Sequence, residues 1–136
     1  MPAPTHAQDG RDGLKPFTSV ADVLSSIPEN APNHDVQSVT YAGEQRKSSY
    51  NAHRILPRAI TTHGGQNYHP SGRRDFTLAE YAALQGFPAS HEFTGPSLKK
   101  QIGNSVPPSI AKVLFESIKK DLEKVDGIEE GPELIE

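Results

Sequence analysis

The sequence predicts a small chain of mixed α and β elements that is incomplete as a standalone fold. Its 136 residues correspond to about one domain, but only 34% of them are hydrophobic and 12 are proline. Prolines break regular elements, so many turns and short elements are expected. Three short helices and two weak strands leave few ways to bury the apolar faces of the helices. We therefore expect the chain to be part of a larger structure.

The first helix is predicted between a capping residue, Thr18 or Ser19, and Pro28, which stops it. Its apolar residues follow the i, i+3, i+4, i+7 spacing of one helical face, as Val20, Val23, Leu24 and Ile27.

The second helix has the strongest start signal in the chain. Thr77 and Glu80 have the spacing of a capping box, in which each side chain binds the backbone amide of the other residue. Gly86 and Pro88 end this helix. A third helix is predicted from Pro107–Pro108, where proline costs no hydrogen bond. One of its faces is apolar and comprises Ile110, Val113, Leu114, Ile118, Leu122 and Val125.

Two strands are predicted between the first and second helices. Residues 35–41 alternate side chains without a clean apolar face, and residues 58–62 could form a brief strand. The loop His63–Asn67 needs permissive backbone angles because it contains Gly64 and Gly65.

The formal net charge of −3 is distributed unevenly. Residues 45–74 contain six bases and no acid, whereas residues 121–136 contain seven acids and one base. A basic segment of this kind suits a polyanion, since Lys and Arg release counterions from phosphates. A solvated loop that happens to be basic explains the charge equally well.

Several protein classes are not expected from this sequence. It has no apolar run of about 18 residues, so no membrane span is expected. Its first residues lack the pattern of a secretory signal, and without cysteine it has neither disulfides nor cysteine-bound zinc. His63 and His69 alone are a poor metal site, so no metal is expected. We expect a soluble protein in the nucleus of a eukaryote, or otherwise in the cytoplasm.

Two sequence strings carry a specific resemblance. Residues 74–88 read RDFTLAEYAALQGFP and residues 101–108 read QIGNSVPP. They resemble the ninth and tenth conserved motifs of the C5-cytosine DNA methyltransferases, in the same order. Residues 2–6 are similar to the end of the eighth motif, and residues 17–28 to the segment after it. Residues 56–72 look like the end of the target-recognition region, most like fungal members.

The resemblance implies an α/β fold, the C-terminal part of a Rossmann-like S-adenosylmethionine-dependent methyltransferase. Residues 1–35 would end a catalytic-core segment and include the first helix, and residues 36–73 would be part of a small, irregular, β-rich recognition region. Residues 74–125 would hold both motifs and the C-terminal helix, which would pack on a parallel-sheet core supplied elsewhere. Residues 126–136 are expected to be a disordered acidic tail.

The sequence departs from the ninth motif at two positions. Ala79 stands where the family usually has arginine, and Ala89 where it usually has aspartate. The missing groups would be expected to fix local packing, so the departures bear on the rigidity of this segment.

The family's reaction excludes independent catalysis by this chain. A cysteine thiolate adds to C6 of a flipped-out cytosine, and C5 then takes the methyl group of S-adenosylmethionine. The chain has no cysteine, and no other catalytic residue is assigned to it. The expected partners are therefore DNA and a catalytic core, from the same gene or a separate subunit, that carries the missing motifs.

Cofactor contact is assigned to the tenth motif. Asn104 and Ser105 match positions that line the methionine end of S-adenosylmethionine in the family, and Gly103 permits close backbone approach. A simple cap and turn is the alternative reading of these three residues.

DNA contact is assigned to the basic segment and its glycine loop. The candidates are Arg54, Arg58, Gly64, Gly65, Gln66, Asn67, Arg73 and Arg74. Arginine can bind phosphate or the guanine edge, and Gln66 or Asn67 can read an adenine edge. For any one residue, a plain surface position is an alternative. Arg74 and residues 85–88 are also expected to hold the recognition region against the catalytic core.

The sequence leaves other functions open. The chain could be a non-catalytic DNA-binding or regulatory module derived from such an enzyme, or an inactive relic that folds poorly.

Overall fold

The computed structural model describes residues 1–62 and 67–127, and the segments between and after them contain Gly64, Gly65, Gln66 and most of the predicted acidic tail. Two strands of two residues form a parallel pair, β1 (His6–Ala7) and β2 (Lys15–Pro16), on either side of a 3-10 segment, Gln8–Gly13. Four α-helices follow: α1 (Val20–Ser25), α2 (Leu78–Leu84), α3 (Leu98–Asn104) and α4 (Pro108–Val125).

Two capping boxes fix the starts of α1 and α2. The Ser19 hydroxyl accepts a hydrogen bond from the Asp22 amide at 3.1 Å, and the Asp22 carboxylate accepts one from the Ser19 amide at 2.9 Å. Thr77 and Glu80 form the same reciprocal pair at 3.2 and 2.8 Å. The prediction of both helices is confirmed, with Ser19 as the cap of α1. Each box satisfies amides that would otherwise lack a partner at the helix start.

The sequence analysis missed α3: it predicted no helix here, and it read Gly103, Asn104 and Ser105 as a cofactor contact with a cap and turn as the alternative. No side chain caps the start of this helix, and Ser97 before it has the left-handed backbone conformation at φ 58°. Tertiary contacts stabilise α3 instead: Ile102 is completely buried, and the side chain of Gln85 binds carbonyls at the helix end. Local signals therefore could not have revealed it.

The two predicted strands were wrong. Residues 37–39 form a 3-10 helix, and a single antiparallel bridge joins Thr40 to Arg74. No strand is assigned over residues 58–62. The Asp35 carboxylate and carbonyl bind the amide and hydroxyl of Ser38, which favours a turn over a ladder. Within the described residues, β1 and β2 form the only sheet, so the Rossmann-like parallel sheet is not contained there.

The basic segment is held by scattered backbone hydrogen bonds. The Lys47 amide donates to the Gly72 carbonyl at 2.7 Å, and the Tyr50 amide to the Pro70 carbonyl at 3.0 Å. Gly72 has φ +72°, and a Cβ there would lie 2.1 Å from the Lys47 carbonyl oxygen. Only glycine fits at position 72, because any side chain there would collide with the backbone at Lys47.

The hydrophobic core is small and joins α1, α2 and α3. Its buried members are Val20, Phe76, Tyr81, Ala82 and Ile102. The rings of Phe76 and Tyr81 meet edge to face with centroids 5.5 Å apart. This core fixes α2 between the other two helices.

α4 confirms the predicted third helix, with Pro108 in its first turn. In residues 1–62 and 67–127, no other helix or strand packs against it. Its apolar side chains are therefore exposed: Phe115 to 70%, Ile118 to 52% and Leu122 to 58%. Over the described residues, no helix is both long and apolar enough to cross a membrane.

Candidate functional site

The Gln85 side chain connects α2 to the junction between α3 and α4. Its amide nitrogen donates to the backbone carbonyls of Ser105 at 2.9 Å and Ile102 at 3.2 Å. These carbonyls lie at the end of α3, where intrahelical donors run out. The contact agrees with the structural role expected for Gln85, and it fixes the position of Asn104 and Ser105 relative to α2.

Gly103 is the point where α3 meets the basic segment. A Cβ on Gly103 would lie 2.6 Å from the Thr62 amide nitrogen and 2.7 Å from the Thr61 carbonyl carbon. The close backbone approach expected at Gly103 is therefore made by the chain itself. Contact of this residue with a cofactor stays a prediction.

Asn104 and Ser105 form the polar turn before α4. Asn104 is exposed, whereas Ser105 is half-buried and its hydroxyl donates to the Ile102 carbonyl at 2.6 Å. The exposed carboxamide can donate and accept hydrogen bonds, as the amine and carboxylate of an amino-acid group would require. The turn therefore fits one wall of a site for the methionine end of a cofactor, with Asn104 as its available polar group.

Arg74 faces the interior of the protein. Its two terminal nitrogens donate to the two carboxylate oxygens of Glu80 at 2.6 and 3.0 Å. Burial alone would raise the pKa of the Glu80 carboxyl, but the hydrogen bonds from Arg74 and Thr77 outweigh it and hold the pKa below its ordinary value. In this conformation the Arg74 guanidinium fork is committed to Glu80, so DNA contact by Arg74 stays a prediction without geometric support.

A second polar cluster, which the sequence analysis missed, connects α2 to α3. The Tyr81 hydroxyl donates to Asp75 at 2.8 Å, and the Lys99 ammonium lies 3.3 Å from the other Asp75 oxygen. The ammonium also lies 4.9 Å from the centre of the Tyr81 ring. Burial and the bond to Asp75 raise the pKa of Tyr81. Lys99 is therefore a structural cation on this side of α3.

Asn67 is a buried residue whose side chain is hydrogen-bonded to the backbone of the basic segment. Its side chain is buried, and its amide nitrogen donates to the carbonyls of Arg58 and Ala59, both at 3.1 Å. Within the described residues, its side-chain oxygen is buried without a hydrogen-bond partner. This geometry gives Asn67 a scaffolding role, and its predicted contact with a base stays untested.

The other predicted DNA-contacting arginines are on the surface. The side chains of Arg54, Arg58 and Arg73 are exposed. Lys47 belongs to the same segment, and its ammonium lies 4.9 Å from the centre of the Tyr68 ring and 5.4 Å from that of Tyr41. The segment thus presents several cations on an irregular but hydrogen-bonded loop.

Acid should weaken this part of the fold. Burial and the nearby Arg74 lower the pKa of His69 below its ordinary 6.5, so the unfolded chain takes up a proton at a higher pH than the folded one. We expect the free energy of unfolding to fall from about pH 7 to about pH 5, and again below the ordinary pKa of 4.5 as Glu80 becomes protonated.

Urea unfolding of the wild type and of His69→Gln measures this effect. The difference between the two proteins should change between about pH 7 and about pH 5, because only the wild type carries the titrating ring. Parallel pH dependences of the two proteins would contradict the role of His69.

The arrangement offers hydrogen-bonding groups and cations but no thiolate. The sequence has no cysteine. Across residues 1–62 and 67–127, no three His, Asp or Glu side chains are placed to hold a metal ion. The exposed arginines suit phosphates, and the polar turn at Asn104 suits one side of a small-molecule pocket.

Comparison with known proteins gives one family. The profile described as C-5 cytosine-specific DNA methylase matches residues 8–120. The type II methyltransferase M.NgoFVII of Neisseria gonorrhoeae is 31% identical over 161 aligned residues, covering 92% of this chain and 43% of the relative. DNA (cytosine-5)-methyltransferase 2 of Arabidopsis thaliana is 45% identical over 60 residues, covering 43% of this chain and 4% of the relative.

A third relative is DNA (cytosine-5-)-methyltransferase M.ApeKI of Aeropyrum pernix. It is 32% identical over 117 residues, covering 79% of this chain and 25% of the relative. The chain thus spans less than half the length of each of these three relatives. No solved structure matches the chain.

Proposed function

The chain belongs to the C-5 cytosine-specific DNA methylase family, and we propose that it acts as the C-terminal part of a DNA (cytosine-5-)-methyltransferase. In this role it supplies DNA target recognition and one wall of the S-adenosylmethionine pocket. The catalytic core, with the nucleophile, is a further segment or subunit. The likeness of residues 56–72 to fungal members supports a recognition role for that stretch.

The need for a core follows from the chemistry. C5 of cytosine is too weak a nucleophile to take a methyl group unaided, and the family activates it by adding a cysteine thiolate to C6. This chain has no cysteine. A serine or threonine would need an activating base. The buried Thr77 hydroxyl lies 2.7 Å from His34 Nδ1, but the same oxygen accepts the Glu80 amide and caps α2, so it is committed to the fold. The reactive thiolate must therefore come from the core.

The exposed apolar face of α4 is the observation that carries the proposal. We define this face as Ile110, Val113, Leu114, Phe115, Ile118, Leu122 and Val125, which are exposed by 40% to 83%. Burying a large aliphatic or aromatic side chain contributes about 1.5–3 kcal/mol. A face of this size favours a protein partner strongly, and it directly follows the turn at Asn104 along the chain.

The contribution to the cofactor is limited to the turn before α4. S-adenosylmethionine supplies the methyl group when it is bound. Asn104 would bind the methionine end through its exposed carboxamide, and the Ser105 backbone is held for this purpose by Gln85. Gly103 keeps the turn close to Thr62, so the proposed cofactor wall lies directly against the proposed DNA-binding segment.

The contribution to DNA binding comes from the exposed cations. Arg54, Arg58 and Arg73 would neutralise phosphates or reach base edges, and residues 64–66 would supply the recognition loop. Arg74 and Asn67 support this surface from within, through Glu80 and through the carbonyls of residues 58 and 59. Activity on chromosomal DNA would place the protein in the nucleus of a eukaryote, or otherwise in the cytoplasm.

A methyl-transfer assay with two polypeptides tests the proposal. The partner is the part of M.NgoFVII outside the stretch that this chain matches, which is expected to carry the catalytic cysteine. We expect transfer of labelled methyl from S-adenosylmethionine to cytosine in DNA only when both polypeptides are present. Asn104→Ala should lower the rate by about 10-fold, equivalent to one lost hydrogen bond to a charged group, and mainly through a higher KM for the cofactor.

One control and one alternative outcome define the interpretation of this assay. Lys112→Ala alters an exposed residue on the charged side of α4 and should leave the rate within about twofold of wild type. No transfer by the mixture, together with salt-dependent DNA binding by the chain alone, would instead support the non-catalytic DNA-binding module.

A further inference from the structure

A cavity of about 310 Å³ lies between α1 and α2, away from the turn at Asn104 and from the exposed arginines. This volume is at the lower end of the range of small-molecule sites, about 300–1,000 Å³. Aliphatic side chains form two of its walls, including Val23 of α1, Leu78 of α2 and Ile27, which follows α1. A third wall is aromatic.

The aromatic wall is a compact cluster of three rings. The centroids of Phe87 and Phe93 are 5.1 Å apart, and His91 lies 4.6 Å from Phe93 and 5.0 Å from Phe87. Ring faces attract planar groups and cations. The wall therefore favours a flat ligand over a branched aliphatic one.

Two of the lining residues are alanines at positions of interest in the sequence. Ala79 and Ala89 both line the cavity, and they are the two positions at which the sequence departs from the ninth motif. An arginine and an aspartate at these positions would add long or charged side chains to the lining. With alanine at both, the cavity is left open and mostly apolar. The two departures, ten positions apart in the sequence, thus lie at the same cavity.

The lining contains one carboxylate. Among the described residues around the cavity, Asp22 is the only Asp, Glu, Lys or Arg. One oxygen of its carboxylate accepts the Ser19 amide at 2.9 Å. Hydrogen bonds from the amide and hydroxyl of Ser19 lower the pKa of Asp22, so the carboxylate is ionised at neutral pH. No Lys or Arg side chain in the lining balances it, and the base that the lining does contain is His91 of the aromatic wall.

We propose that this cavity is a binding site for a small planar aromatic molecule that carries a cationic group. The ring would lie among the aromatic and aliphatic walls, and the cation would face Asp22. Such a site is separate from the proposed DNA and cofactor contacts, and it does not depend on them.

Three probes of nearly equal size and different charge test the proposal: benzamidine, benzamide and benzoate. Each is titrated into the full-length, 15N-labelled chain, and the amide signals are followed by NMR. We expect benzamidine to shift amides of the lining, such as Val23 and Phe93, with a Kd on the order of 1 mM. Benzamide should bind up to about fivefold more weakly, since Asp22 is exposed, and benzoate more weakly again.

Two substitutions and a control locate the binding. Ala79→Arg should fill the cavity and weaken benzamidine binding at least about 10-fold, whereas Ala111→Arg places the same group on α4 and should have no effect. Asp22→Asn keeps an oxygen for the Ser19 amide and should remove the preference for benzamidine over benzamide. The proposal is overturned if no lining amide shifts saturably, if benzoate binds as tightly as benzamidine, or if Asp22→Asn leaves the preference intact.

Discussion

The Ile118→Glu variant is expected to bind the catalytic core at least about 100-fold more weakly than the wild-type chain. Ile118 lies near the middle of the exposed face of α4, and 52% of its surface is accessible. Docking would take a glutamate there into an apolar interface, where an unpaired charge is costly. Titration calorimetry with the unmatched part of M.NgoFVII as the core measures the change.

Lys119→Glu is the matched control for this substitution. Lys119 is the next residue along α4, on the charged face, and its only ion pair among the described residues is a weak 3.9 Å contact with Glu123. This variant also gains a glutamate but should bind within about threefold of wild type. Equal weakening of both variants would indicate a charge effect and not the loss of an apolar contact.

The Glu80→Ala variant is expected to lose about 3–5 kcal/mol of stability. It removes the partner of the Arg74 guanidinium, which is largely buried, and also the carboxylate that accepts the Thr77 amide at 2.8 Å. One substitution therefore leaves an uncompensated charge and an unsatisfied Thr77 amide, although the Thr77 hydroxyl still caps the helix. The midpoint of urea unfolding should shift strongly without a large change in its slope.

Glu80→Gln separates the two contributions. Glutamine keeps an oxygen for the Thr77 amide but not the charge, so the loss should be smaller, about 1–3 kcal/mol. Glu116→Ala makes the same change as Glu80→Ala at an exposed site and should alter stability by less than about 0.5 kcal/mol. Equal stability of Glu80→Ala and Glu116→Ala would show that the ion pair is not structural.

The elements that could be predicted from the sequence are those fixed by local contacts. The capping box of Thr77 and Glu80 lies within four residues, and α4 has an apolar face that repeats over five turns. α3 could not be predicted, because it depends on the burial of Ile102 and on Gln85, which lies 17 residues away. The prediction of a strand at residues 35–41 was wrong for a related reason. Among the described residues, this stretch makes one bridge, from Thr40 to Arg74, and hydrogen bonds between Asp35 and Ser38 favour a turn.

The candidate site was predictable to a similar extent. The motif strings located the turn at Asn104, but they could not show that the space beside Gly103 is taken by Thr62. Because the sequence shows only its charge, Arg74 was assigned to DNA contact together with Arg54, Arg58 and Arg73. The signal that separates it is Glu80, six residues later, whose carboxylate serves both the capping box and the guanidinium. The Asp75–Tyr81–Lys99 cluster could not be predicted, because Lys99 belongs to α3 and that helix was not predicted.

The most direct measurement is sedimentation of an equimolar mixture of this chain and the unmatched part of M.NgoFVII, without DNA or cofactor. If α4 docks on a separate catalytic half, the mixture should sediment as one 1:1 complex, and Ile118→Glu should restore two separate species. Two independent species in the wild-type mixture, with no methyl transfer to DNA, would contradict the division of the enzyme into a recognition part and a reactive core.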